Sequence, residues 1–283
     1  MKRGKSAARK TWDLLIDPAP RRGGANMAVD EYLFDRLGAV PRTTARFYSW
    51  ERPTASLGYA EPMDKVLDLD YCLRNGIDVV RRMTGGKLVL HWREITYSIA
   101  SSDTEAFTST LAGSYRLISA GLIRGLEKMG LKARLAGAPP ASYTRGNMPC
   151  FTYPARDEIE IDGRKIVGSA QKRMAGRFLQ HGSIPLQDDG GLLRRISLAR
   201  AEDSGLRRTS ISEALGREVD KDWAVKCLVK GLAEHFGVRF RPLVLGEGEE
   251  EEIRGIQAAR YENENWTRGT VPVPESRFSN PES

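Results

Sequence analysis

With 283 residues, 44 Lys and Arg against 37 Asp and Glu, and a net charge of +7, the chain has room for one large domain or two ordinary ones. It is 40% hydrophobic and 29% charged, which excludes a disordered protein, and no apolar stretch approaches the ~18 residues of a membrane span. Three cysteines (Cys72, Cys150, Cys227) and three histidines (His91, His181, His235) are too few for a disulfide framework or a clustered metal site.

Residues 1–10 carry five cations and no acid and read as a disordered basic tail with no apolar segment behind it, so not a secretory signal. A soluble, cytoplasmic protein is expected. After a Gly23–Gly24 break, NMAVDEYLFDRLG sets Met27, Val29, Leu33, Phe34 and Leu37 on a broad apolar stripe and stops at Gly38, an amphipathic helix. Thr44–Trp50 and Ile77–Arg82 are rich in strand formers. The turn Thr84-Gly85-Gly86 and the alternating run Lys87–Ala100 then predict a strand, a tight turn and one long return strand.

The run Thr108–Gly130 predicts a long helix with Leu111, Tyr115, Ile118, Leu122, Leu126 and Met129 on one side. Asp162-Gly163 between EIEI and RKIVGSAQ is a hairpin signal. Period-two spacing on its second arm places Lys165, Val167 and Ser169 on one face, Ile166 and Gly168 on the other. Phe178–Leu186 is a further strand. Beyond about residue 192 the character is helical: Asp220–Gly237 is amphipathic, and Glu249–Glu252 opens a last helix at the positive end of its dipole. The fold class is α+β, a single domain over 11–269 with a mixed sheet and helices, between tails 1–10 and 270–283.

Several motifs fail. Gly85-Gly86-Lys87 is not a phosphate loop, because Arg81 and Leu88 stand where glycine and Ser or Thr are needed. No GxGxxG, HExxH or CxxC occurs, and Gly168-Ser169 lacks the frame of a nucleophile elbow.

Three segments survive. Arg81–Trp92 (RRMTGGKLVLHW) lets backbone approach a ligand with Arg82 supplying charge, or is an ordinary hairpin with a basic edge. Gly163–Gly182 gathers Lys165, Gly168, Ser169, Gln171, Lys172, Arg173 and His181 around small residues, around a cleft or as a solvated hairpin. In Asn147–Phe151, Cys150 follows a proline in a loop; Cys227 lies on an apolar helical face and Cys72 among packing residues. Cys150 is therefore the nucleophile candidate, with Lys165 and two histidines available to lower a thiol pKa of about 8.5.

In this order and spacing the three segments resemble the biotin/lipoate protein ligase family, from about Trp12 to Arg268, and within it the octanoyltransferase branch. RR-x-TGG-x-x-V-x-H and KIVGSAQKR-x-x-G-x-x-LQHGS carry the likeness, and Cys150-Phe151 stand where that branch has its cysteine. The resemblance implies a class II synthetase-like catalytic domain. It implies Cys150 and Lys165 as the catalytic pair, and an acyl site of Arg82, Thr84, Gly85, Gly86, His91, Gly168, Ser169, Gln171, His181 and Gly182. The implied reaction moves an octanoyl group from acyl carrier protein, through a Cys150 thioester, to a lysine of a lipoyl domain or of the glycine-cleavage carrier protein. It needs no cofactor, metal, membrane or nucleic acid. Two positions depart from the family pattern: Glu61, where glutamine is usual, and Lys87, where arginine or a small residue is more common.

An ATP-dependent lipoate ligase would instead use free acid and dispense with Cys150. A cysteine hydrolase of Cys150 and His181 lacks a third orienting group, and a nucleic-acid module would interleave more aromatics with its cations than Trp92 and Phe178. Residues 1–10, 81–93 and 164–181 hold 14 cations and no acid, while the remainder has 30 cations against 37 acids. The basic excess thus sits in the tail and the two candidate loops, where phosphate, acyl carbonyl and acidic carrier domains are the expected partners.

Overall fold

The computed structural model describes residues 9–38, 40–137, 158–198 and 207–269. The segment Asn147–Phe151 with Cys150, the chain end 270–283 and most of the basic start lie outside the described residues.

The chain opens with β1 (Thr11–Ile16), α1 (Gly23–Asp35), β2 (Thr43–Tyr48) and β3 (Thr54–Leu57). Short helices α2 (Met63–Val66) and α3 (Leu69–Arg74) lead to β4 (Asp78–Arg81), β5 (Val89–His91) and β6 (Glu94–Ser101). Then come α4 (Leu111–Lys128), β7 (Arg134–Leu135), β8 (Ile159–Ile161), β9 (Arg164–Met174) and β10 (Arg177–Pro185). The last part holds α5 (Gly190–Ile196), α6 (Ile211–Leu215), α7 (Lys221–Phe236), β11 (Arg239–Pro242), α8 (Glu247–Ile256), a π-helical turn at Gln257–Tyr261, and α9 (Glu264–Arg268).

Among the described residues, eight strands form a mixed sheet in the order β11-β1-β2-β6-β10-β9-β8-β7, and three form a small sheet, β4-β3-β5. In the large sheet β1 runs parallel to β2 and β11, and the pairs from β2 onward are antiparallel. Helices α4 and α7 cover one face, where Phe47, Tyr97, Ile99, Ile118, Leu122, Leu126, Leu228 and Leu232 form the main core. Helix α1 covers the other, with Met27, Val29, Leu33, Phe34 and Leu37 packed against Tyr48, Ala100 and Leu179. Each apolar residue expected on the α1 stripe is at most 5% exposed. No helix among the described residues is long and apolar enough to cross a membrane.

Several expectations hold in detail. Helix α4 starts at an N-cap Thr110 whose side chain accepts from the Gly113 amide, and α7 ends on a left-handed Gly237. Asp162 and Gly163 both take positive φ, the signature of the two-residue hairpin turn. Cys72 is buried in the core of the small sheet, and Cys227 packs half-buried against the main core.

Others are corrected. The Gly23–Gly24 pair does not precede α1 but forms its first turn. Leu111, the first residue of α4, is 52% exposed rather than on the buried side. The return strand expected over Lys87–Ala100 is two strands in two sheets, broken at Arg93 with φ 51°. Nor do β4 and β5 form a hairpin, since β3 lies between them and pairs with both.

Simple alternation also fails early in β9. Ile159 opposes Val167 and Glu160 opposes Lys165, so a bulge admits Ile166, and both Ile166 and Val167 enter the main core. Lys165 therefore shares the side of Glu158, its ion-pair partner, opposite the core-facing Ile159 and Ile161.

Candidate active site

The two sheets and α1 border a cleft. Its floor is Tyr48, Thr96, Ser183 and Gly168 of the large sheet; Met27 of α1 and Arg82, Gly86, Val89 and His91 close over it. Ser169, Ala170, His181 and Gly182 complete the lining.

The glycine turn that roofs the cleft is held by two buried arginines. Arg82, 4% exposed, donates to the carbonyls of Ser56 (2.6 Å), Gly85 (3.0 Å) and Lys87 (2.8 Å). Arg81, 2% exposed, donates to the carbonyls of Gly58 (2.7 Å), Tyr59 (3.0 Å) and Glu61 (2.7 Å), and through Nε to Trp266 and Thr267 at the end of α9. Burial pulls its guanidinium below the usual arginine value. The Glu61 carboxylate accepts the amides of Gly58 (3.2 Å) and Leu88 (2.9 Å), so this departure from the family pattern ties the two loops together. Glycine is required at 58: a Cβ there would lie 1.8 Å from the Gly86 carbonyl oxygen.

Behind the turn runs a polar chain. Thr84 Oγ1 and His181 Nε2 are 2.7 Å apart, and His181 Nδ1 lies 3.0 Å from Asp30 Oδ2. Asp30 also accepts from Arg46 (2.8 Å), Ser98 (2.8 Å) and Tyr48 (2.9 Å), while Arg46 reaches Asp17 at 2.7 Å. Burial alone would raise the Asp30 carboxyl, but His181 and Arg46 hold it below its usual value. Burial keeps the His181 imidazole below its usual value despite the carboxylate beside it. The neutral ring thus gives Nδ1–H to Asp30 and accepts the Thr84 hydroxyl at Nε2.

His91 stacks on Trp50 with centroids 4.2 Å apart, and its Nδ1 lies 2.7 Å from Glu94 Oε1. Glu94 also receives the hydroxyls of Thr96 and Ser183. Both hydroxyls are thereby paired with Glu94, and the lining of the cleft is mostly apolar.

Lys165 is fully buried three residues before Gly168, with Nζ 2.5 Å from Glu158 Oε1. Its backbone is fixed on both sides, N–H to the Arg207 carbonyl and carbonyl to the Thr209 amide. Gln171 stands apart from the cleft, on the other face of β9, where it donates to Gln180. Cys150, expected to complete the site, is outside the described residues, and among those described no group of three or more His, Cys, Asp or Glu could hold a metal ion.

Sequence reasoning missed Asp30, Arg46, Glu94 and Glu158. The signal for Asp30 was present: in MAVDEYLF the apolar residues surround the helix, and an acid inside such a helix must be partnered. The gathered positive charge is also spent differently from the expectation. Arg81, Arg82 and Arg177 bind main-chain carbonyls, Arg173 binds the carbonyls of Thr108 and Ser109, and Lys165 binds Glu158.

Residues 23–233 match the lipoyl protein ligase A/B catalytic domain. A relative from Kyrpidia tusciae named octanoyltransferase LipM is 38% identical, over 91% of this chain and 98% of its own. Another of that name from Geobacillus kaustophilus is 34% identical, over 92% and 98%. Among solved structures, lipoate-protein ligase A bound with ATP superposes with a TM-score of 0.80 at 23% identity, covering 92% of this chain and all of its own. The bipartite lipoate protein ligase of Thermoplasma acidophilum gives 0.75 at 22% identity, over 94% and 99%. The mixed sheet, its flanking helices and the signature-bearing strands β4, β9 and β10 are thus those of a known catalytic domain, and the chain belongs to the lipoyl protein ligase A/B catalytic domain family.

Proposed function

We propose that this chain is an octanoyltransferase of lipoate biosynthesis, which takes an octanoyl group from acyl carrier protein, holds it as a thioester on Cys150, and passes it to a lysine of a lipoyl domain or of the glycine-cleavage carrier protein. The carrying observation is the cleft: mostly apolar in its lining, bounded by both signature segments, and flanked three residues away by the buried Lys165–Glu158 pair. The curated relatives' name agrees with an octanoyl occupant.

In the first step the Cys150 thiolate attacks the carrier thioester carbonyl, and the C–S bond to the pantetheine thiol breaks as that sulfur takes up a proton. In the second the acceptor lysine, as free amine, attacks the enzyme thioester; an amide forms and Cys150 leaves. Thioester exchange is nearly balanced and amide formation runs downhill, so no nucleotide is consumed. A buried ammonium at Lys165 favours a nearby thiolate and the oxyanion of each tetrahedral intermediate, where one such donor is commonly worth ~3 kcal/mol. Glu158 keeps that ammonium aimed and supplies an acceptor for the proton it must relay. A reduced thiol is required, which fits action in the cytoplasm.

The test is incubation with octanoyl-acyl carrier protein, followed by intact mass. Wild type gains an octanoyl adduct and transfers it to a lipoyl domain without ATP; Cys150→Ala does neither. An adduct on Cys150→Ala, or transfer that demands free octanoate and ATP, overturns the thioester route and favours a ligase.

A further inference from the structure

The cleft floor is one line of the β-ladder. Tyr48 of β2 opposes Thr96 of β6, Thr96 opposes Ser183 of β10, and Ser183 opposes Gly168 of β9. Directly opposed residues share a face, and strands are ~4.8 Å apart, so the row crosses the sheet for roughly 14 Å. Side-chain size grows along it, from none at Gly168 to the phenol of Tyr48. The glycine end is open, since Gly168, Ser169 and Ala170 are half-buried and Gly86 above them is exposed. The tyrosine end is shut: Tyr48 is 4% exposed.

Tyr48 is also held rigidly. Its hydroxyl donates to Asp30, the Arg46 guanidinium lies 3.8 Å from its ring centroid, and the Trp50 ring packs at 5.8 Å. Its ring is also packed into the core on the α1 side, with Leu15, Met27 and Trp50. Tyr48 therefore closes the groove where the sheet meets that core.

We infer that Tyr48 is the end stop that sets the acyl chain length, with the groove from Gly168 to Tyr48 as the ruler. This rests on the cleft being the acyl site of the proposed transferase. The omega carbon of a bound medium-length chain meets a ring that cannot swing aside, and the Asp30–Arg46 network is what fixes the ring. Tyr48 is a specificity-determining residue and touches no reacting atom.

The experiment is an acyl-length series, hexanoyl to dodecanoyl carrier protein, with kcat/KM for each. Tyr48→Leu should raise the dodecanoyl-to-octanoyl ratio at least tenfold, the discrimination a single methylene commonly carries. Tyr48→Phe keeps the ring and should keep the wild-type ratio. An unchanged ratio in Tyr48→Leu overturns the stop. Should that variant not fold, Ser183→Leu blocks the groove one strand from its mouth and must move the optimum to hexanoyl or shorter; an optimum left at octanoyl overturns the ruler. The same lengths as free fatty acids, read by thermal shift, test the stop on binding alone. A length optimum that moves with Tyr48 but without transfer would refute the transferase reading and uphold the stop; no length dependence in either readout refutes the stop.

Discussion

Asp30 Oδ2 and His181 Nδ1 lie 3.0 Å apart, and that contact joins α1 to β10 directly beneath the glycine turn. It fixes the imidazole as the tautomer that accepts the Thr84 hydroxyl. The unfolded chain binds a proton at His181 near pH 6.5, the folded protein only at lower pH, because burial opposes the charge. Between those values the unfolded state holds more protons, so stability falls as pH drops below about 6.5. Asp189 acts oppositely over part of that range. Burial raises its carboxyl to about 6 from 3.8, so the folded state binds the extra proton and gains stability as pH falls. Comparing wild type with His181→Gln separates the two. The Tm advantage of wild type should shrink from pH 7 to pH 5; an advantage constant across that range would show that His181 does not titrate as described.

Arg46 is the buried cation between Asp17 and Asp30. Its side chain is fully buried, and both carboxylates are 1% exposed. Arg46→Ala removes a partner from two buried acids, leaving Arg21 to Asp17 and His181, Ser98 and Tyr48 to Asp30, and losing one partner of such a network costs about 3–5 kcal/mol. Urea unfolding should show a midpoint lowered accordingly, with the slope unchanged. A loss below 1 kcal/mol would mean that the remaining partners, or water, replace the guanidinium.

Glu61→Gln tests the departure from the family pattern. The carboxylate accepts two amides, from Gly58 and Leu88, whereas a glutamine has one acceptor oxygen and turns an N–H toward the other donor. An amide left without a partner costs about 1–3 kcal/mol. The variant should unfold at lower urea and bind acyl substrate less tightly, with KM raised more than kcat is lowered. A glutamine variant of equal stability would show that the bridge does not hold the loops.

The elements set by local chemistry were legible. Helices α4 and α7 follow from apolar spacing and their end residues, and the Asp162-Gly163 hairpin from its turn; α1, expected as an amphipathic helix stopping at Gly38, ends at Asp35 and is buried all round from Asn26 to Phe34. What sequence could not show was set by partners far along the chain. The run Lys87–Ala100 keeps its alternation through Arg93, yet its halves join different sheets because β3, only four residues long, captures β5. The Ile166 bulge follows from β8 pairing, and periodicity alone puts Lys165 on the wrong side. Clustered arginines suggested an acidic partner, since a sequence does not distinguish a guanidinium in water from one wrapped in carbonyls. Seven of the ten residues that the family likeness implied for the acyl site line the cleft: Arg82, Gly86, His91, Gly168, Ser169, His181 and Gly182. That Asp30 must have a partner was legible, but not that the partner is His181, until α1 was placed.

The two glycines of the Thr84-Gly85-Gly86 turn should not be equivalent. Gly86 has φ +99°, and a Cβ on it would lie 2.7 Å from the Arg82 guanidinium. A Cβ on Gly85 meets nothing within 4 Å, and its φ is not in the left-handed region. Gly58, across from the turn, is the most constrained of the three, since the atoms a Cβ would strike are Gly86 backbone at 1.8 and 2.8 Å. Gly58→Ala must therefore push the whole turn outward. Displacing a substrate-positioning group by about 1 Å can cost a hundredfold in rate. Octanoyl transfer should fall by about that factor in Gly58→Ala and strongly in Gly86→Ala, while Gly85→Ala stays within a few-fold of wild type. Acylation rates by intact mass, with thermal unfolding to confirm folded protein, decide it. If Gly85→Ala is as damaged as Gly58→Ala, the turn requires open space rather than close approach, and the clamp built by Arg81, Arg82 and Glu61 is not what shapes the cleft.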